Sequence, residues 1–342
     1  MKNFRINQRT IVILATIIFI VVAIVLIVLD WKEVKQVIGK ADWYYIAVAF
    51  IATMFSYFMS SLGYALINRV FGVSTTYRDL IEVGFISSTL NSLLAFSGAV
   101  GHSLRVAYVK GPGATSGAVL AASIFHSYIN FIMMMLMMTI GVIWLLATHM
   151  LYIGGTITLA IIGLIVVLST VVSTTIIFVS RLRRWILHVF ARVWKFIFHK
   201  DMTKFIGDFN GALEKGMGAM AGTRFQLTAI LTSMAAYWVF AVVAVLFCFE
   251  SFNVVLKPAA LISGFGIGVA AGNLSMIPGG LGVQEAGIAG VYALLGTPLA
   301  QAVLAAILFR VVYDFIPFFI SLAFYARFWR SIGHTTHGNP AK

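Results

Sequence analysis

Charge is scarce in this chain. Only 10% of its 342 residues are Asp, Glu, Lys or Arg, against 61% hydrophobic, and the mean hydropathy is +0.99. A soluble domain is not built from that balance, so the chain reads as an integral membrane protein. No long polar region is present that could form a catalytic domain outside the bilayer. Acidic residues are the scarcer sign, 11 against 24 basic, for a net charge of +13. Most Lys and Arg flank hydrophobic runs, which is the positive-inside pattern and points to anionic lipid headgroups, not to nucleic acid. Cys248 is the one cysteine, so a single chain can form neither a disulfide nor a cysteine metal cluster. A Walker-type phosphate loop, paired aspartates for a metal and an assembled Ser/His/Asp arrangement are also missing. The chain is therefore expected to be no enzyme, to use no cofactor or metal, and not to drive transport with ATP by itself. Met133, Met134, Met135, Met137 and Met138 lack a polar pocket and charged co-ligands, and read as span filler.

What is abundant is long apolar runs. Ile11–Leu29, Trp43–Ile67, Val119–Ala147, Leu151–Ser180, Phe225–Phe249 and Leu299–Tyr325 give about six full transmembrane helices, each near the 20 or so residues a bilayer requires. The expected class is an all-α polytopic membrane protein with one transmembrane domain over residues 1–330. Residues 30–42 suit a short interfacial helix, and residues 331–342 a disordered polar tail. Residues 181–204 alternate Arg and Lys with Trp185, Leu187, Phe190, Trp194 and Phe198, the pattern of a basic amphipathic helix on the anionic inner leaflet. Lys2, Arg5 and Arg9 before the first span, and Arg327 and Arg330 after the last, put both termini in the cytoplasm.

Two apolar stretches do not fit as ordinary spans. Residues 259–295 are interrupted by Ile277-Pro278-Gly279-Gly280-Leu281-Gly282-Val283-Gln284-Glu285. Proline lacks the N–H and glycine loses too much backbone entropy for a helix to pass through. Broken backbone at membrane depth is tolerated only inside protein or beside a watery cavity, so two half-helices meeting at a polar tip are expected. Residues 79–110 behave similarly, breaking at Ser97-Gly98-Ala99-Val100-Gly101-His102. Positive-inside topology is satisfied if this stretch enters and leaves on the cytoplasmic side while the other enters from outside. Asn91, Gly98 and Gly101 in one then echo Asn273, Gly279 and Gly282 in the other, which suggests an inverted repeat, a usual frame for alternating access. Oligomeric state is open, a homo-oligomer included.

Ionisable groups inside the hydrophobic runs cost several kcal/mol each and call for partners or a cavity. The candidates are Glu82, Arg105, His126, Glu285, Arg310 and Asp314. Arg310 and Asp314, four apart, can pair along one helix face. Arg105 can grip a lipid phosphate through two parallel hydrogen bonds or serve as an edge arginine. Glu285 can pair with an arginine, take a proton or hold a cationic headgroup. His126, in a polar stripe with Ser123, Ser127 and Asn130, fits an interhelical hydrogen bond.

Three motifs in order carry a resemblance: Phe96-Ser97-Gly98-Ala99-Val100-Gly101-His102-Ser103-Leu104-Arg105, then Ile277 through Ala286, then Phe309-Arg310-Val311-Val312-Tyr313-Asp314-Phe315-Ile316-Pro317. Together they resemble the lysylphosphatidylglycerol synthase/flippase transmembrane family from about residue 10 to residue 328, with Ser97 where a glycine is common. The resemblance implies a flippase-like module that moves phospholipids, typically aminoacylated phosphatidylglycerol, between leaflets of the cytoplasmic membrane. It points to Arg105, Glu285 and Arg310 as cavity residues. Bifunctional members continue into a soluble aminoacyl-transferase domain that these 342 residues do not hold, so no lipid synthesis is expected of them. Alternatives are a carrier of polyprenyl-phosphate or glycan-linked lipids, or a non-transporting partner of a separate synthase or glycosyltransferase. The expected substrate-binding residues are Arg105, Glu285, Arg310, Asp314, Asn91 and Asn273, and the expected tips are Gly98 and Gly101, and Pro278, Gly279, Gly280 and Gly282.

Overall fold

A computed structural model describes Gly39 and residues 41–93, 99–109, 111–147, 153–199, 201–275, 278–280 and 282–324. The expected first span, most of the interfacial segment after it, Gly98 and the polar tail lie outside these residues. All regular structure among the described residues is helical. In chain order the helices are α1 (Trp43–Val70), α2 (Tyr77–Leu93), α3 (Ala99–Tyr108), α4 (Ser116–Ala147), α5 (Ile153–Phe178), α6 (Ser180–Phe198), α7 (Thr203–Gly222), α8 (Arg224–Glu250), α9 (Pro258–Leu274), α10 (Val283–Leu294) and α11 (Leu299–Phe324). A 3₁₀ turn, Pro278–Gly280, lies between α9 and α10. Among the described residues four helices, α1, α4, α8 and α11, are long and apolar enough to cross a membrane, and five if the bent pair α5–α6 counts as one. The expected spans at 43–67, 119–147, 225–249 and 299–325 fall on those four helices.

Helix α6 turns away from α5 by 86°. Arg181, Arg184, His188, Arg192 and Lys195 occupy an arc of about 80° at helical spacing, and Trp185, Val189, Val193 and Phe196 lie beside them. The bend and this segregation fit a helix lying flat on a surface. Arg183 departs from the pattern. It is buried, donates to the Ile177 carbonyl that the bend leaves free, and holds Asn210 (2.8 Å) and Glu214 (2.9 Å) of α7.

Span, hairpin and span occur twice in order: α1, α2–α3, α4, and then α8, α9–α10, α11. The leading spans of the two halves, α1 and α8, pack antiparallel. Asp42 meets Ser251, Phe55 stacks on Phe240, Ser56 bonds the Tyr237 carbonyl, and Gly63 faces Met234. The halves are thus inverted relative to each other.

The hairpins start from opposite ends of α1. Helix α2 begins beside Arg69, whose guanidinium lies over the Tyr77 ring (4.7 Å), and α3 ends where Pro112 accepts from Ser74. Helix α9 begins at the other end, where Tyr292 of α10 bonds the Leu261 carbonyl (2.7 Å) and packs edge-on to Phe249. Each hairpin therefore leaves by the end at which it entered. Helices α2 and α9 each have 17 residues, a rise of about 26 Å, short of a full hydrocarbon core.

Small residues close the second hairpin. Gly264, Gly268 and Gly272 recur every four residues on α9, and a Cβ at each would fall 2.3–2.8 Å from Tyr292, Ile288 and Gln284 of α10. That ridge lets two helices approach in lipid, where the hydrophobic effect between them is absent. Helix α11 opens into a π turn at Val311–Phe315. Pro317 accounts for it, because proline cannot donate to the carbonyl four residues back.

Candidate functional site

The turn of the second hairpin meets the end of α2. Gly279, in the left-handed region at φ 63°, sits so close to the end of α2 that a Cβ there would be 2.8 Å from the Leu93 carbonyl oxygen. Gly280 (φ 62°) and Gly282 (φ 79°) have the same handedness, which side chains rarely adopt, so the Pro-Gly-Gly-x-Gly turn follows from its glycines. Beside this junction runs one face of α1. Thr53, Ser56, Tyr57, Ser60, Ser61, Tyr64 and Asn68 recur at spacings of three or four residues, and all are buried. Several bond their own helix: Thr53 to the Ala49 carbonyl, Ser61 to that of Tyr57, Asn68 to that of Tyr64. Others reach across: Ser56 lies 2.7 Å from the Tyr313 hydroxyl, and the Tyr57 hydroxyl donates to Ser92 (3.3 Å). The second hairpin and last span flank one end of this polar face, and the first hairpin flanks the other.

At the second hairpin, Arg310 is the hub. It is 4% exposed. Its Nε lies 2.8 Å from Glu285 Oε1, an ion-pair contact without directed hydrogen-bond geometry. Nη1 donates to Asp314 Oδ2 (2.8 Å) and Gln284 Oε1 (3.2 Å), and Nη2 donates to the Gly279 carbonyl. Glu285 turns its other oxygen to the Gly282 amide (2.8 Å), capping the start of α10. One guanidinium thus fastens the tip turn, α10 and the π turn of α11 together. Two carboxylates share it, so this group carries a surplus of one negative charge when both are ionised.

At the first hairpin, Arg105 has the opposite situation. It is 1% exposed, its Nε donates to Ser87 (2.6 Å), and its guanidinium carbon lies 4.1 Å from the Tyr64 ring centroid. Among the described residues no carboxylate pairs with it, because Glu82 bonds Arg78 (3.1 Å) in the outer part of α2. Its Nη1 is buried without a hydrogen bond, as are the Tyr64 hydroxyl and His102 Nδ1. His102 lies one turn before Arg105 on α3, with Nε2 3.5 Å from Ser127. His126 Nε2 lies 3.1 Å from the Ser60 carbonyl, and its ring meets Tyr64 edge-on.

The expected site residues therefore separate into groups. Glu285, Arg310 and Asp314 come together, and Arg105 stands apart on the other hairpin. Asn91 accepts from the Gly101 amide (2.9 Å), a bond across the first hairpin that steadies the start of α3. Asn273 is exposed, with a long contact from Nδ2 to Met134 Sδ (3.5 Å), and joins neither group. Sequence reading missed the polar face of α1, although hydroxyl and amide residues at three- and four-residue steps over 53–68 spell it out. It also missed Ser87 and His102. Among the described residues no cluster of His, Cys, Asp or Glu could hold a metal ion.

A comparison with curated proteins finds no match. A comparison with protein-family models matches residues 12–321 to the lysylphosphatidylglycerol synthase TM region, a match that takes in α1 to α10, both hairpin tips and all but the end of α11. The chain belongs to that family of membrane proteins, related to lipid modification or flipping.

Proposed function

We propose that this protein is a lipid translocator, acting in the cytoplasmic membrane without covalent chemistry. The observation that supports the reading best is the meeting of two opposed hairpins against a buried polar helix face. Flipping a phospholipid is slow because its headgroup must leave water, and a polar lane across the membrane lowers that cost while acyl chains stay in lipid. The face of α1 offers hydroxyls and one amide over about four turns, about 22 Å from Thr53 to Asn68. Opposed hairpins meeting midway provide two gates, as alternating access requires. Arg105 suits a phosphate, and the surplus negative charge at Glu285 and Asp314 suits a cationic headgroup group such as that of an aminoacylated lipid. The end of the bundle carrying Arg69, Arg78, Arg181, Arg184 and Arg224 is cytoplasmic on this reading, with α6 lying on the anionic inner leaflet. The lipid could be supplied by a separate synthase or glycosyltransferase.

The test is transbilayer movement of fluorescent phospholipids in proteoliposomes. Wild type is expected to exceed protein-free liposomes, and Arg105→Gln is expected to lose most of that excess. Movement at the protein-free baseline for anionic, zwitterionic and aminoacylated lipids alike would refute translocation.

A further inference from the structure

We infer that the buried face shared by α1, α3 and α4 is the seat of one lipid phosphate, with Arg105 as its cation and Tyr64 and His102 as its neutral donors, and that Arg310 takes no part in binding. The inference rests on the translocation reading and narrows it from a headgroup lane to a single anion seat.

A cation taken out of water normally finds a carboxylate, as Arg310 does twice. Arg105 is as deeply buried and has none among the described residues. Its partners are a serine hydroxyl and a tyrosine ring, which are weak substitutes for a counter-ion. Three buried donors here lack a hydrogen bond, Arg105 Nη1, the Tyr64 hydroxyl and His102 Nδ1. Ser123 and Asn68 lie within reach of the Tyr64 hydroxyl without directed hydrogen-bond geometry, and the Asn68 amide oxygen is itself an unbonded acceptor there. Each of the three can donate, His102 in the tautomer that protonates Nδ1. Unpartnered buried donors around an unpaired cation make a seat suited to an anion, because each such group costs free energy until it is met.

A phosphodiester matches the deficit. Its single negative charge cancels one guanidinium, and its two free oxygens accept up to four hydrogen bonds. Arginine is also the side chain that grips planar pairs of phosphate oxygens best. Arg310 cannot serve in this way, since its donors are committed to Glu285, Asp314, Gln284 and the Gly279 carbonyl. With Arg105 at 1% exposure the seat is shut in this conformation. Helix α3 is the natural door. It has 10 residues and is tied to α2 by the Asn91–Gly101 and Arg105–Ser87 bonds.

Binding can be measured apart from flipping. Purified protein in detergent is unfolded by heat with increasing dihexanoyl phosphatidylglycerol, dihexanoylglycerol or inorganic phosphate. The phosphatidylglycerol is expected to raise the midpoint saturably and the uncharged dihexanoylglycerol to leave it unchanged. Arg105→Gln is expected to raise the apparent Kd about 10- to 100-fold, and Tyr64→Phe, which keeps the ring and removes only the hydroxyl, about 5- to 10-fold. Equal stabilisation of wild type and both variants, or equal stabilisation by dihexanoylglycerol, overturns the seat. Stabilisation by inorganic phosphate alone, lost in Arg105→Gln, overturns the lipid as occupant. Lipid binding that depends on Arg105 without any flipping refutes translocation and upholds the seat. Flipping indifferent to Arg105→Gln does the reverse.

Discussion

The two hairpin arginines should respond to the same substitution with different stability changes. Replacing Arg310 by glutamine leaves the half-buried Glu285 and the buried Asp314 without their cation and the Gly279 carbonyl without its donor. Breaking a buried ion pair from one side costs about 3–5 kcal/mol, because the stranded charge stays desolvated. Partial protonation of the two carboxylates sets the ceiling on that loss. Arg105→Gln works the other way. It removes the Ser87 bond, worth about 1.5–3 kcal/mol, and a desolvated cation–π contact of about 2 kcal/mol. It also removes the desolvation penalty of an unpaired cation, several kcal/mol in effect. These terms oppose one another, and the expected net change without lipid is within about 1 kcal/mol of zero. The assay is reversible unfolding in mixed micelles by titration with a denaturing detergent, followed by tryptophan fluorescence. A double-mutant cycle of Arg310→Gln with Glu285→Gln should give a coupling of about 1–3 kcal/mol. If Arg105→Gln collapses the fold while Arg310→Gln is silent, the assignment of staple and seat is reversed and the reasoning fails.

Gly279→Ala and Gly282→Ala separate backbone strain from the tip contact. Both force a side chain into the left-handed region, at about 1–2 kcal/mol, but a Cβ at 282 meets open space while one at 279 meets the Leu93 carbonyl. Gly279→Ala should therefore be the more destabilising by about 1–3 kcal/mol and should slow lipid movement beyond the effect of Gly282→Ala. Equal effects in the unfolding and flip assays would mean the tips do not bear on each other. Hydrogen exchange in nanodiscs is expected to be faster at α3 amides than at α10 amides, since α10 is closed by the glycine ridge and stapled by Arg310. Equal or slower exchange at α3 would remove it as the door.

The class of fold was plain in the sequence because lipid leaves backbone few choices: apolar runs of the right length must be helices. Both hairpins were legible for a related reason, as Pro278 and the neighbouring glycines cannot continue a helix. Opposed entry followed from the positive-inside pattern around residues 79–110 and 181–204, and the contacts along α1 and α8 agree with an inverted arrangement. The site was less legible. Pairing of Arg310 with Asp314 could be read from their four-residue spacing, but the bond to Glu285 depends on how α10 meets α11, which no local pattern encodes. Arg105 offered no way to tell an edge arginine from a buried one, because burial is a property of α1 and α4 packed around α3. Asn91 and Asn273 looked equivalent by their distance from glycines, yet only Asn91 faces its own hairpin. Arg183 looked like one more surface cation, and only the bend before α6 turns it inward.

The two halves share a plan but not a mechanical build. In the second, three glycines seat α10 against α9, and a guanidinium fixes the tip to the last span by its own counter-ions, so its charge is satisfied internally. In the first, the shorter arm is held by two side-chain bonds, and its guanidinium is left in want of an anion. A ligand that supplies that anion changes the energy of the first hairpin far more than that of the second, because differential interaction is the only means by which a ligand shifts an equilibrium. On the translocation reading the asymmetry divides the work: the second hairpin is the fixed post against which the first closes, and the first opens and shuts according to whether its arginine is answered.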